Sequence, residues 1–165
     1  MSRAGEELLR EVYAVSYRRL VTQLYAVCGD QQVAEDAVQD AFVKALSHRR
    51  ELASLANPEA WLRTVALNHV RSGWRRASLY RRLVHRLPGP THQVELGPDH
   101  VAVMAALDAL PQQLRDVVAL YYFGDLPVAE VAQTLSLPEG TVKTRLAKAR
   151  ADLAGLLSDE EHDHA

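Results

Sequence analysis

The stretch LPVAEVAQTLSLPEGTVKTRL, residues 126–146, reads as two amphipathic helices joined by a tight turn. Val128, Val131, Ala132 and Leu135 recur at helical spacing and form the inner face of the first, with Gly124 as the stop of the helix before it. Ser136-Leu137-Pro138-Glu139 has the order of a capping box that restarts the chain. In the helix that follows, Val142, Leu146, Ala149 and Leu153 share one side; Gly140, Thr144, Ala147 and Lys148 lie opposite, flanked by Lys143 and Arg145. A helix that enters a major groove needs this layout: an apolar face to dock, small or polar residues toward base edges, and cations beside the phosphates. Thr141, Lys143, Thr144, Arg145 and Lys148 are the candidate contacts to duplex DNA. A plain helical hairpin with solvated lysines has the same pattern, so this motif does not decide function by itself.

Working back along the chain, Ala60 to Val94 contains no Asp or Glu but carries Arg63, Arg71, Arg75, Arg76, Arg81, Arg82 and Arg86, with Trp61 and Trp74 among the first of them. The whole chain has formal net charge −2, so the basic run is local patterning. Basic residues with interleaved aromatics suit phosphate neutralisation and base stacking. Asn57-Pro58-Glu59 is a helix start: a capping side chain, a proline at the first helical position and an acid in the first turn. The helix it opens runs to about Arg76, weakened at Gly73, with Leu62, Val65, Ala66, His69 and Val70 as its docking face. Trp61, Thr64, Asn68, Arg71 and Arg75 form the opposite stripe. Trp61 alone suits a core equally well, and His69 on the apolar side reads as a satisfied core residue.

Two helices precede it. The first covers about Glu6 to Cys28, with Leu8, Leu9, Val12, Val15, Leu24 and Val27 apolar and Gly29 as its stop. Asp30 caps the second, which reaches about His48. Ala34, Ala37, Val38, Ala41, Phe42 and Ala45 share its inner face, while Asp36, Gln39, Asp40 and Val43 share the other. That acidic face is either solvated or a surface for another protein. Downstream, Pro88, Gly89, Pro90, Gly97 and Pro98 break the pattern and read as a flexible linker. Four further helices are expected at about Val101–Leu110, Pro111–Phe123, Pro127–Leu135 and Ser136–Leu156, then a frayed acidic tail from Ser158. The expectation is an all-α chain of two small helical domains, residues 6–86 and 101–157, with a linker at 87–100 and a tail at 158–165.

Composition narrows the function. Hydrophobic content of 48% with 24% charged residues describes a folding, soluble chain. No apolar run is long enough to span a bilayer, and the polar N-terminus lacks a signal-peptide core, so a cytoplasmic location is expected. Cys28 is the lone cysteine, which excludes an internal disulfide and a thiolate cluster. His162 and His164 have no third ligand nearby, so no metal and no cofactor are expected. With no phosphate loop and no nucleophile–base pair, the chain does not read as an enzyme.

Four motifs in unbroken order resemble one family. Ala34-Glu35-Asp36-Ala37-Val38-Gln39-Asp40-Ala41-Phe42 resembles the polymerase-binding helix of bacterial sigma factors of the extracytoplasmic-function group. Trp61-Leu62-Arg63-Thr64-Val65-Ala66-Leu67-Asn68 resembles that group's promoter-melting, −10-reading helix. Leu110-Pro111-Gln112-Gln113-Leu114-Arg115 and Leu137 to Leu146 resemble its −35-reading domain. The resemblance implies docking through Asp36, Gln39 and Asp40 on the clamp of the largest subunit of core RNA polymerase, with the flap receiving the C-terminal domain. It also implies capture of a flipped −10 base by the loop Leu52 to Pro58 with Asn68, contacts from Asn57, Trp61, Thr64, Arg71 and Arg75, and an anti-sigma factor as a further partner. Ser72 stands where the family often has an aspartate, and Ser72-Gly73-Trp74-Arg75-Arg76 is similar to an actinobacterial subgroup.

Two other classes account for part of this pattern. A stand-alone helix-turn-helix regulator explains the C-terminal half but not the acidic helix. A helical protein-binding adaptor explains the amphipathic helices but not two basic readers.

Overall fold

A computed structural model describes residues 3–83 and 98–163, which fall in two compact units divided between Gln93 and Val94. The described residues are helical, with no strand among them. The first unit holds α1 (Arg3–Cys28), α2 (Gln31–Ser47), α3 (Arg49–Ser54) and α4 (Pro58–Leu83); the second holds α5 (Pro98–Ala109), α6 (Gln112–Val118), α7 (Val128–Leu135) and α8 (Glu139–Asp163).

In the first unit α2 packs on both α1 and α4. Gly29 turns the chain at φ 73°, and the Asp30 carboxylate accepts from the Val33 amide at 3.0 Å to open α2. The core joins Leu20, Leu24 and Val27 of α1 to Ala34, Ala37, Val38, Ala41 and Ala45 of α2 and Leu62, Ala66, Leu67 and Val70 of α4. Val15 is exposed, contrary to expectation, because the buried stripe of α1 runs through Ser16, Leu20, Gln23 and Val27. Two buried polar residues in that stripe displaced the pattern.

Three further differences bear on function. The segment expected as a loop from Leu52 begins inside α3, whose Leu52 is buried, so the free connection is short. Its helical turn forms because the His48 carbonyl accepts from the Leu52 amide at 3.0 Å, which brings Leu52 into the core. α4 continues past Arg76 to Leu83, with Gly73 inside it, since a helix interior tolerates one glycine at a cost of about 1 kcal/mol. The run from Ser158 is helical to Asp163 and not frayed, with the Ser158 hydroxyl donating to the Ala154 carbonyl at 2.7 Å.

The second unit is built on α8, which packs against α5, α6 and α7. Pro98 to His100, expected as linker, already belong to α5: proline is favoured at the first position of a helix. Residues 87–97 of that linker lie outside the described residues. A π-helical turn at Ala119–Phe123 extends α6 and ends at Gly124 (φ −91°), the expected stop, with the left-handed Asp125 (φ 50°) following it.

The turn before α8 also differs from the expected capping box. Ser136 adopts the left-handed conformation (φ 55°, ψ 45°), its amide meets the Gln133 carbonyl at 3.3 Å, and the Leu137 amide meets the Ala132 carbonyl at 2.9 Å. That pair is a Schellman closure of α7. Pro138 favours an extended Leu137, which leaves the reversal to Ser136. Glycine suits this conformation better than serine, so Ser136→Gly should stabilise the chain by about 0.5–1 kcal/mol. Thermal unfolding of the full chain checks this; a lowered midpoint would mean the Ser136 hydroxyl contributes more than its backbone costs.

Candidate nucleic-acid and polymerase interfaces

The exposed face of α4 starts at Asn57, whose Oδ1 accepts from the Ala60 amide at 3.1 Å and so caps the helix. From there Trp61, Thr64 and Arg71 are half-buried, while Asn68 and Arg75 are exposed. The Thr64 hydroxyl donates to the Ala60 carbonyl at 3.1 Å. Trp61 is neither core nor free: its ring stands 5.6 Å from that of His48 at the junction of α2 and α3. The five residues form one stripe, and Asn68 is its outward member nearest the middle.

Arg63 behaves unlike the other arginines of the basic run. It is 3% exposed, its Nε donates to Gln23 Oε1 at 2.8 Å, and its Nη2 lies 3.9 Å from Glu59. Glu59 in turn holds Arg19 through two bonds of 2.6 and 2.8 Å. This cation joins α1 to α4 and is not presented to phosphate. The buried face of α4 is turned toward Arg63 and Leu67, leaving Val65 and His69 half-buried. A sequence signal for this existed in Gln23, a polar residue within the apolar stripe of α1 that requires a buried partner.

On α2, Asp36 and Gln39 are exposed and Asp40 is half-buried. Gln32 Nε2 donates to Asp36 Oδ1 at 2.8 Å, and Gln39 Nε2 donates to the Tyr17 hydroxyl at 3.3 Å. Asp40 Oδ2 lies 3.0 Å from Lys44 Nζ and 3.1 Å from His69 Nδ1 of α4. Partial burial pushes this carboxyl up, but its interactions with Lys44 and His69 outweigh it and hold it below its ordinary range. An apolar cluster adjoins the face: Tyr17 stacks on Tyr13 at 4.8 Å, Tyr13 meets Phe42 edge-on at 4.9 Å, and Val43 is exposed.

On α8 the two faces separate cleanly. Val142, Leu146 and Ala149 are buried, and Lys143, Thr144, Ala147 and Lys148 are exposed, with Thr141 and Arg145 half-buried between them. The Thr144 hydroxyl donates to the Gly140 carbonyl at 2.9 Å, so its oxygen is left as an acceptor. Behind α8, an apolar groove of about 440 Å³ is lined by Val103, Leu107, Tyr122, Phe123 and Leu153. Arg150 Nε donates to the Tyr122 hydroxyl at 2.6 Å and holds that ring at the rim. Among the described residues no cluster of potential metal ligands occurs, and no helix is long and apolar enough to cross a membrane.

Comparison with known proteins gives one answer for both units. The profile of sigma-70 region 2 matches residues 6–87, and that of sigma-70 region 4 matches residues 100–153. The chain is 32% identical over 131 residues to the RNA polymerase sigma factor HrpL of Pseudomonas syringae pv. syringae, covering 72% of this chain and 70% of HrpL. It is 31% identical over 155 residues to the extracytoplasmic-function sigma factor SigL of Mycobacterium tuberculosis, covering 87% of this chain and 85% of SigL. The same fold is found in the sigma factor RpoE of Bartonella quintana, solved with the anti-sigma factor NepR, at TM-score 0.78 and 24% identity over 90% of this chain and 96% of that one. It is found again in CnrH, solved with the cytosolic domain of CnrY, at TM-score 0.67 and 24% identity over 93% and 90%. The chain belongs to the sigma-70 family of RNA polymerase sigma factors, in its extracytoplasmic-function group.

Proposed function

We propose that this sigma factor divides promoter recognition between its two units and leaves catalysis to the polymerase. The exposed stripe of α4 takes the −10 element, with Asn68 receiving a base that has left the stack, Arg71 and Arg75 serving the backbone, and Asn57, Trp61 and Thr64 bordering the site. Thr144 and Lys148 of α8 read the −35 major groove, and Thr141, Lys143 and Arg145 hold its phosphates. Asp36 and Gln39 dock on the clamp of the largest polymerase subunit, with Asp40 at the inner edge of that surface. The observation that carries this reading is the pair of exposed polar faces, on α4 and on α8, each backed by a fully buried apolar side. The groove behind α8 suits an amphipathic helix, which supports the polymerase flap as its occupant and an anti-sigma factor as its competitor. The protein acts in the bacterial cytoplasm, where core polymerase is.

Run-off transcription by core polymerase, with and without this chain, tests the whole reading; tight sequence-specific duplex binding by the chain alone would instead favour a stand-alone regulator. A narrower test lies at Asp36, which can be reversed without touching the internal bonds of Asp40. Asp36→Lys should weaken core binding roughly five- to tenfold, by placing like charges across the interface, with an unchanged unfolding midpoint. Unchanged affinity in a quantitative pull-down would remove the docking assignment.

A further inference from the structure

His48 is an exposed residue that the −10 assignment leaves without a role, yet its position is closely fixed. Its amide donates to the Ala45 carbonyl at 3.1 Å, and its carbonyl accepts from the amide of buried Leu52 at 3.0 Å, so both backbone groups are tied to helix ends. The ring is tied as well. Its Nδ1 lies 2.9 Å from the Lys44 carbonyl, which can only accept, so Nδ1 carries the proton and donates. Placed in this way, the imidazole leans on the indole of Trp61, with centroids 5.6 Å apart and planes inclined at 45°, inside the range of favourable aromatic pairs. Trp61 is half-buried, so part of its indole still meets solvent. A flat ring braced on one side and open on another suits an unstacked base, for which an aromatic platform is worth roughly five- to a hundredfold in affinity. Bracing the indole beforehand also removes the ordering cost that a free side chain would add to binding. Trp61 and Asn68 are seven residues apart in sequence, about 10 Å along α4. Stacked nucleotides advance about 3.4 Å per step, so that gap spans about three steps, and fewer on a stretched strand. One base does not serve both residues.

We propose that the indole of Trp61, braced by His48, is a second base site: it stacks an unstacked base of the opened −10 strand, one to three nucleotides from the base received by Asn68. This rests on the assignment of the α4 stripe to the −10 element, and the experiment separates the two. Holoenzymes are bound to pre-melted promoters in which each non-template base of the −10 element in turn is replaced by an abasic site, which keeps the phosphate and removes the ring. The wild-type chain should lose affinity about five- to twentyfold at two separate positions. Trp61→Leu keeps apolar bulk without a flat ring, and should become indifferent, within about twofold, to the abasic site at one of these positions; Asn68→Ala should become indifferent at the other. If Trp61→Leu lowers the unfolding midpoint, Trp61→Phe replaces it and should weaken the same position alone. His48→Ala should reduce the loss at the Trp61 position to about two- to threefold and leave the Asn68 position unchanged. His48→Phe, a ring without a charge, should recover most of that sensitivity, and His48→Lys, a charge without a ring, should recover none. An unchanged pattern in His48→Ala, or rescue by lysine and not by phenylalanine, overturns the brace. A single sensitive position in the wild type, or loss of the same position in the Trp61 and Asn68 variants, overturns the second site while the assignment of α4 stands. If neither variant alters the sensitivity at any position, the assignment of α4 falls, and this inference with it.

Discussion

Asn68→Ala is expected to cut open-complex formation roughly ten- to a hundredfold while initial promoter binding changes by no more than about threefold, the larger loss corresponding to about 1.4–2.8 kcal/mol. The two steps separate because they ask different things of α4. On the proposed assignment, initial binding draws on phosphate contacts from Arg71, Arg75 and the α8 cations, none of which the substitution touches. Melting requires a base to leave the stack at a cost of a few kcal/mol, recovered only if a group waits where the base arrives. Asn68 is exposed on a helix whose other side is locked by Leu62, Ala66 and Val70, all at most 1% exposed, so the backbone that carries it is fixed before the base appears. A template with a pre-opened −10 bubble should rescue the variant in part, since unstacking is already supplied. Permanganate footprinting on closed and pre-melted templates checks this; an equal defect on both would leave Asn68 as an ordinary binding or folding residue.

The architecture was legible because helix signals here are local. Gly29, Asp30 and the Asn57-Pro58-Glu59 start mark their boundaries with side chains that act within one turn, and the structure shows the Asp30 and Asn57 bonds they imply. What was not legible depends on partners distant in sequence. Arg63 looked like one more cation of a basic run, but its partner Gln23 lies 40 residues away on α1. The pairing of Asp40 with His69 is equally non-local, and it changes the character of the acidic face: Asp36 and Gln39 face outward, whereas Asp40 is partly engaged within the unit. The α7–α8 turn differed for another reason. The capping-box rule reads Ser136 as a helix start, yet Pro138 favours an extended Leu137 and leaves Ser136 as the left-handed close of α7, a conformation serine adopts less readily than glycine. Likewise α3 is too short to show a period, and its one buried side chain, Leu52, was read as loop.

The separation of faces on α8 leads to the second large effect, a difference in kind between neighbouring cations. Lys148→Ala should cost about 1–3 kcal/mol on the preferred −35 sequence and relax preference at one or two positions. Lys143→Ala and Arg145→Ala should each lower affinity for all sequences and reduce the salt slope by roughly one unit. The reason is geometric. Lys148 and Thr144 are four residues apart on the side opposite buried Val142 and Leu146, so in the proposed docking of α8 they would point into the floor of the groove. Lys143 and Arg145 sit to either side, where the same docking would bring phosphates from the groove walls. The Thr144 hydroxyl already donates to the Gly140 carbonyl, so it can offer only an acceptor, and Thr144→Val should relax preference at a base presenting a donor while sparing a thymine methyl contact. Holoenzyme binding to a promoter library at two salt concentrations separates the outcomes, because a phosphate contact shifts every sequence together and a base contact reorders them. Uniform loss for Lys148→Ala would mean that α8 lies in the groove rotated from the orientation its buried face implies, with Arg145 or Lys143 as the base reader instead.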